Sequence, residues 1–283
     1  MVPRPNVPHL EERPGGARLE GRTASLPPVI GHRGAAARAP ENTLAGLRRA
    51  KALGCAWVEF DVRLTGDGAL VVCHDPRLDR TTSGSGLVLA MSLAAIRELD
   101  AGSWFDPSFA GERVPTLDEV LLLLAELDLG ANIEMKSDRG REYATAAAVA
   151  ASLRRLRGRP PAVLVSSFLV SALAAFAALA PEIPRGVLFR FIPRGWAETA
   201  LRLGCAMIGA DHRRLRPGQV AAIRATGYQL AAYTVNDPAR AGLLFDWGVT
   251  SVFSDAPDII RPAMIRHVSA GRGTALARQG AML

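Results

Sequence analysis

The chain is short of cysteine, of aromatic side chains and of lysine, and it has no long apolar run. Its three cysteines, Cys55, Cys73 and Cys205, are odd in number, widely separated and flanked by apolar residues. That pattern describes buried thiols and excludes a disulfide framework or a zinc site. Aromatics make up 6% of 283 residues against 49% hydrophobic, so Leu, Val and Ala must fill the core. The runs "TAAAVAASL" and "SALAAFAALA" fit that role. No apolar run reaches the ~18 residues of a membrane span, and no charged-then-apolar leader opens the chain. The expectation is a soluble, cytoplasmic protein without a membrane span.

Lysine occurs only at Lys51 and Lys136; arginine supplies the rest of a net charge of +7. The basic stretches "LRRLRGRP" and "DHRRLRPG" are short and carry no interleaved aromatics. They read as solvated surface that attracts anionic substrates, and nucleic-acid binding is not expected. A chain that otherwise writes Arg has kept Lys at 136, within "NIEMK".

Residues 1–26 are rich in Pro, Gly and Arg and read as a flexible arm, and 267–283 read as a flexible tail. Between them, 27–266 form one expected domain built on a repeated joint: a helical run ends in Gly and passes at once into a strand-like run. Gly54, Gly130, Gly204, Gly227 and Gly248 are expected just past helix C-termini, where positive φ suits glycine. Nine strand-like runs follow, near 29–32, 57–61, 69–74, 131–136, 162–167, 186–190, 206–211, 229–235 and 250–254. The link "RLTGDG" is too short for a parallel crossover, so the second and third runs must form an antiparallel hairpin. Eight runs remain, the number for a parallel (β/α)₈ TIM barrel. The hairpin and the segment to about residue 115 then form an excursion (69–115) above the barrel, which sets His74 opposite Glu59 or Phe60.

Active-site groups of such barrels sit at the C-terminal strand ends. Those ends carry His32 and Arg33, Glu59 and Asp61, and Glu134 and Lys136, with His74 brought in by the hairpin. Residues two apart share a strand face, so Glu59 with Asp61, and Glu134 with Lys136, point inward while Phe60 and Met135 face the helices. Buried charges on strands are expensive unless paired or bound to metal. Three converging carboxylates without Cys suit one hard divalent cation, Mg²⁺ or Ca²⁺. That ion together with Arg33 and Lys136 outweighs the three acids by one charge, which complements a phosphodiester. His32 and His74 then form a proton-transfer pair for diester hydrolysis, one taking a proton and one giving it. His212 reads as structural, and His9 and His267 as solvated.

The ordered motifs "GHRG", "PENT", "VEFDVRLTGDGALVVCHD", "SWF", "NIEMK", "SSF", "YTVN" and "SDAPD", spread over 29–262, resemble the glycerophosphodiester phosphodiesterase family. "APENTLAGL", "DAGSW", "PEIPRG" and "RLGC" are similar to its cytosolic bacterial branch, associated with glycerol-3-phosphate uptake. The resemblance implies a phospholipase-C-like barrel and metal-dependent hydrolysis of a small glycerophosphodiester to sn-glycerol 3-phosphate and an alcohol. It further implies His32 and His74 as acid and base, and Glu59, Asp61 and Glu134 as metal ligands. Arg33 would hold phosphate oxygens; Lys136 would hold phosphate or orient a carboxylate. Glu41 either orients Arg33 or a ligand, or belongs to a helix start capped by Asn42 or Thr43. Phe168 and Tyr233 either wall a glycerol pocket or, for Phe168, pack in the core. Trp104 is a candidate lid residue, and Asp255 is expected as a structural cap. Two rival functions are a lysophospholipase D, which needs an apolar surface near the mouth, and a catalytically silent binding protein, which would lack a ligand or a histidine.

Overall fold

The structure, a computed structural model, describes residues 25–156 and 161–262. The expected tail lies outside the described residues, as does all of the expected arm but its last two. The described part holds nine strands: β1 Val29–Gly31, β2 Trp57–Leu64, β3 Leu70–Val72, β4 Gly130–Met135, β5 Val163–Ser167, β6 Arg185–Phe189, β7 Met207–Asp211, β8 Gln229–Tyr233 and β9 Ser251–Ser254. Each falls on one of the nine runs legible in the sequence. Eight of them pair in parallel in the order β1-β9-β8-β7-β6-β5-β4-β2, and a β1–β2 pairing closes the barrel. Strand β3 runs antiparallel to the upper end of β2, with Val62 opposite Val72 and Leu64 opposite Leu70. Continuing that register sets His74 opposite Phe60, one of the two positions expected.

Helices alternate with the barrel strands: α1 Leu44–Ala52, α3 Leu117–Leu127, α4 Glu142–Arg155, α5 Val170–Leu179, α6 Trp196–Arg202, α7 Pro217–Ala225 and α8 Pro238–Trp247, with the short α2 Leu93–Arg97 in the excursion. Helix α3 begins in a capping box, in which Thr116 accepts from the Glu119 amide and Glu119 accepts from the Thr116 amide. A cap of this kind is worth about 1 kcal/mol. Gly54, Gly204, Gly227 and Gly248 have positive φ as expected, but Gly130 does not. At that joint Asp128 takes the left-handed conformation. Gly130 instead opens β4, where an added Cβ would lie 2.3 Å from the Trp57 ring; close packing is the reason for glycine there.

Period-two alternation sorts the strands into two cores. Val58, Phe60, Val62, Ile133, Met135 and Val252 pack outward with the helices. Ile30, Trp57, Leu164, Leu188, Met207 and Phe253 fill the barrel interior, where Leu26 also packs. The excursion has a core of its own around Cys73, Leu78, Val88, Ile96 and Val114. It therefore stands as a built layer above the strand ends. Among the described residues, no helix is long and apolar enough to cross a membrane.

Candidate active site

Strand β1 ends in a sharp turn that delivers two functional groups at once. Arg33 and Gly34 both adopt positive φ, 51° and 91°. A Cβ on Gly34 would meet the Gly46 backbone at 2.6 Å, so only glycine lets the loop lie against α1. The Arg33 amide donates to Glu59 Oε2 at 3.1 Å, and the Gly34 amide donates to the Glu59 carbonyl at 3.2 Å. His32 continues the inward face of Ile30, while the turn swings the Arg33 side chain back over the barrel mouth.

Glu59 and Asp61 on β2 and Glu134 on β4 are buried, and one oxygen from each lies within 4.8 Å of the others. Glu59 Oε1 is buried without a hydrogen-bond partner. Burial, then repulsion from Asp61 and Glu134, pushes the Glu59 carboxyl well above the usual range. Burial also raises Glu134, against the pull of Lys136. For Asp61 the attraction of Lys136 and Arg33 overcomes burial and holds it down at about 2. Such a group of like charges around an unpaired oxygen fits a divalent cation. Two oxygens on one Ca²⁺ at ~2.3–2.6 Å can be no more than about 5 Å apart, so the spacing matches. The buried acidic triad is compatible with a divalent metal site.

Two cations close the cluster. Arg33 Nε lies 3.5 Å from Asp61 Oδ2, and Lys136 Nζ lies 3.4 Å from Asp61 Oδ1 and pairs with Glu134. Burial would lower the pKa of both cations, but neighbouring carboxylates outweigh it and raise them: Asp61, Glu41 and Glu59 around Arg33, and Asp61 and Glu134 around Lys136. Both stay charged.

Each histidine is gripped through Nδ1 by an aspartate. His32 Nδ1 is 2.6 Å from Asp255 Oδ1, and His74 Nδ1 is 2.6 Å from Asp75 Oδ1. The grip favours the tautomer with the proton on Nδ1 and leaves Nε2 as the unprotonated acceptor. His32 Nε2 faces Glu59 Oε2 at 3.7 Å. Burial lowers the His74 pKa, with Arg33 and Lys136 lowering it further and Asp61 opposing. Asp255, expected as a cap, is a correction: both of its carboxylate oxygens are taken by other partners, Oδ1 by His32 and Oδ2 by the Asn236 amide at 2.6 Å.

A cavity of about 120 Å³ opens on His32, Arg33, Glu59, His74, Glu134 and Lys136, and Phe168 and Tyr233 wall it. These two rings meet edge to face at 5.7 Å. Phe168 also lies under the Lys136 ammonium at 5.4 Å and is 41% exposed, which removes the core-packing alternative. Tyr233 Oη donates to the Phe189 carbonyl, so the ring is fixed as a wall. A larger cavity of about 480 Å³ shares His32 and Arg33 and runs beneath Trp104 and Phe105 of the excursion.

Glu41 accepts from Arg33 Nη1 at 2.7 Å, the contact that its Arg33-orienting reading requires. The helix cap is Thr43, whose Oγ1 accepts from the Gly46 amide. Asn42 instead brackets Asp61, donating to Oδ2 at 3.0 Å and accepting from its amide at 3.2 Å. Arg63 anchors the His74 carbonyl at 2.9 Å. The sequence singled out neither Asn42 for this purpose nor Asp75, Arg63 or Asn236. For Asp75 its place directly after His74 was the available signal; for the others the partners stand 11 to 19 residues away on a different element. His212 sits apart from the cluster and accepts from Arg240 at 3.3 Å, as a structural histidine should. His9 and His267 lie outside the described residues.

The family model described as "Glycerophosphoryl diester phosphodiesterase family" matches residues 32–259. A glycerophosphodiester phosphodiesterase of Bacillus subtilis (strain 168) is 35% identical over 247 residues, covering 82% of this chain and 84% of the relative. One from Caldanaerobacter subterraneus subsp. tengcongensis is 34% identical over 233 residues, covering 82% of this chain and 95% of the relative. The solved structure of an Oleispira antarctica phosphodiesterase in complex with the product sn-glycerol-3-phosphate superposes with a TM-score of 0.83 at 41% identity, covering 84% of this chain and 97% of that one. The chain belongs to the glycerophosphoryl diester phosphodiesterase family.

Proposed function

We propose that this protein is a divalent-metal-dependent glycerophosphodiester phosphodiesterase that releases sn-glycerol 3-phosphate and an alcohol. One observation carries the reading: the oxygens of Glu59, Asp61 and Glu134 gather within 4.8 Å, and two of these acids, Glu59 and Glu134, open on the same small cavity that receives both histidines. Glu59, Asp61 and Glu134 would hold Mg²⁺ or Ca²⁺, which when bound supplies positive charge to polarise a phosphoryl oxygen. Arg33 and Lys136 bind the remaining phosphate oxygens, and Glu41 sets the angle of Arg33. Phe168 and Tyr233 enclose the glycerol arm. His32 and His74, each oriented by its aspartate, exchange protons at Nε2 with the attacking and leaving oxygens. The family relationship, and the product sn-glycerol-3-phosphate bound to the Oleispira relative, support the same substrate class. All the groups this chemistry requires are present, which disfavours a silent binding protein.

The test is hydrolysis of glycerophosphocholine read by a coupled glycerol-3-phosphate dehydrogenase, with and without Mg²⁺ or Ca²⁺. Turnover that depends on added metal is expected, and undiminished turnover after thorough chelation would remove the metal from the reading. Including one lysophospholipid separates the two enzymatic alternatives, since its acyl chain is larger than the cavity of about 120 Å³ and would have to extend beyond it. Faster cleavage of the lysolipid than of the deacylated diesters would favour the lysophospholipase D reading.

A further inference from the structure

We propose that Arg80, on the excursion and outside both cavities, is a positioning residue that locks His74 and Arg33 into one unit; the proposal rests on the functional reading above. Arg80 uses its whole fork. Nη1 and Nη2 each donate to a separate oxygen of Glu41 at 2.7 Å, and Nε donates to Asp75 Oδ2 at 2.7 Å. The other oxygen of Asp75 holds His74 Nδ1 at 2.6 Å, and Glu41 Oε1 also holds Arg33 Nη1 at 2.7 Å. A single guanidinium thereby completes an unbroken path from the imidazole of the hairpin to the guanidinium at the tip of β1.

The path crosses a structural joint. Glu41 belongs to the loop between β1 and α1, whereas Asp75 and Arg80 belong to the excursion. The excursion packs around its own core, so its position over the barrel needs specific ties. Charge-assisted, bidentate bonds are the strong kind, and only a planar fork with three donors in fixed directions can span two carboxylates in this way; an ammonium is a point charge. The Glu41 side chain is 10% exposed and that of Arg80 45%, so the tie is anchored at its acidic end and open to solvent at its basic end.

Without Arg80, Asp75 can turn away from His74 and Glu41 can turn away from Arg33. One change would then affect proton transfer and phosphate binding together. Misplacement of reacting groups by ~1 Å costs about 10²-fold, so Arg80→Ala is expected to lose about 10–100-fold in kcat/KM, with kcat lowered and KM raised. Because the basic end is open, free guanidinium at millimolar concentration should restore part of the loss, and tetramethylammonium at equal ionic strength should not. Arg80→Lys keeps the charge without the fork and should remain several-fold below the wild type.

Hydrogen–deuterium exchange reads the tie without activity. In Arg80→Ala the amides of Asn42, which donates to the Arg33 carbonyl, and of Leu78 and Thr82 in the excursion should lose protection together, while those of β7 and β8 keep it. Kinetic constants within about twofold of wild type, or full restoration by Arg80→Lys, would overturn the proposal. So would a loss that ignores guanidinium and comes with faster exchange throughout the barrel, the mark of a merely structural role. A wild-type protein inactive on every glycerophosphodiester would sink the proposed function instead, and the exchange comparison would still decide whether Arg80 joins the two segments.

Discussion

Replacing Asp255 by Asn tests the grip on His32 with the least disturbance of shape. The bond at stake is the 2.6 Å contact between His32 Nδ1 and Asp255 Oδ1, made by a carboxylate kept below its usual pKa despite burial, chiefly by its bonds to His32 and Asn236. A hydrogen bond to a charged group contributes ~1.5–3 kcal/mol. If that stabilisation is felt mainly when the imidazole is charged in the transition state, its loss lowers kcat by about 10–10²-fold, since each ~1.4 kcal/mol is tenfold. An asparagine amide that turns its NH₂ toward Nδ1 would also move the ring proton to Nε2, the wrong nitrogen for a base. The assay is the coupled dehydrogenase reaction at saturating metal, with kcat and KM separated and the melting temperature measured in parallel. KM should change by no more than about threefold, because the bond acts on the ring and not on the phosphate. A normal kcat with a lowered melting temperature would restore Asp255 to a capping role and refute the reasoning.

Further outcomes follow from the same structure. His32→Ala and His74→Ala should each lower kcat by ~10²-fold or more in that assay, with metal affinity unchanged by calorimetry. Burial pushes the thiols of Cys55, Cys73 and Cys205 up to about 11, so none should react with Ellman's reagent at pH 8 until the protein is denatured, when all three should. Asp100 accepts from the amides of Gly111, Ser103 and Gly102, which hold its carboxyl far below the usual range. A depressed folded-state pKa contributes stability above the unfolded value near ~4 that is lost as pH falls toward the folded one. Asp100→Asn should therefore lower the melting temperature at neutral pH and flatten its decline in acid.

The barrel was legible because each strand carries a local signature. "VEFDVRL" alternates strictly, and the hairpin follows from one loop too short to cross over. The same alternation placed Glu59, Asp61, Glu134 and Lys136 on the inner face, and the structure brings these residues together. What the sequence could not yield were groups whose meaning depends on a partner far along the chain. Asp255 lies 223 residues from His32 and looks like any polar residue after a strand. Arg80 looks like one more arginine in an arginine-rich chain until Glu41, 39 residues away, is seen beneath it. Gly130 departs from expectation for a related reason: the local signal of a helix end is the same whether the glycine or Asp128, two residues before it, supplies the left-handed turn, and only the Trp57 ring across the strand pair explains the glycine.

The proposed chemistry stands or falls with a cation held by the three inward carboxylates. Anomalous diffraction from crystals grown with Mn²⁺ tests it most directly. One strong peak is expected among Glu59, Asp61 and Glu134, lost in Glu59→Gln crystals of otherwise unchanged structure. A peak elsewhere, or none at the triad with the metal in excess, would contradict it.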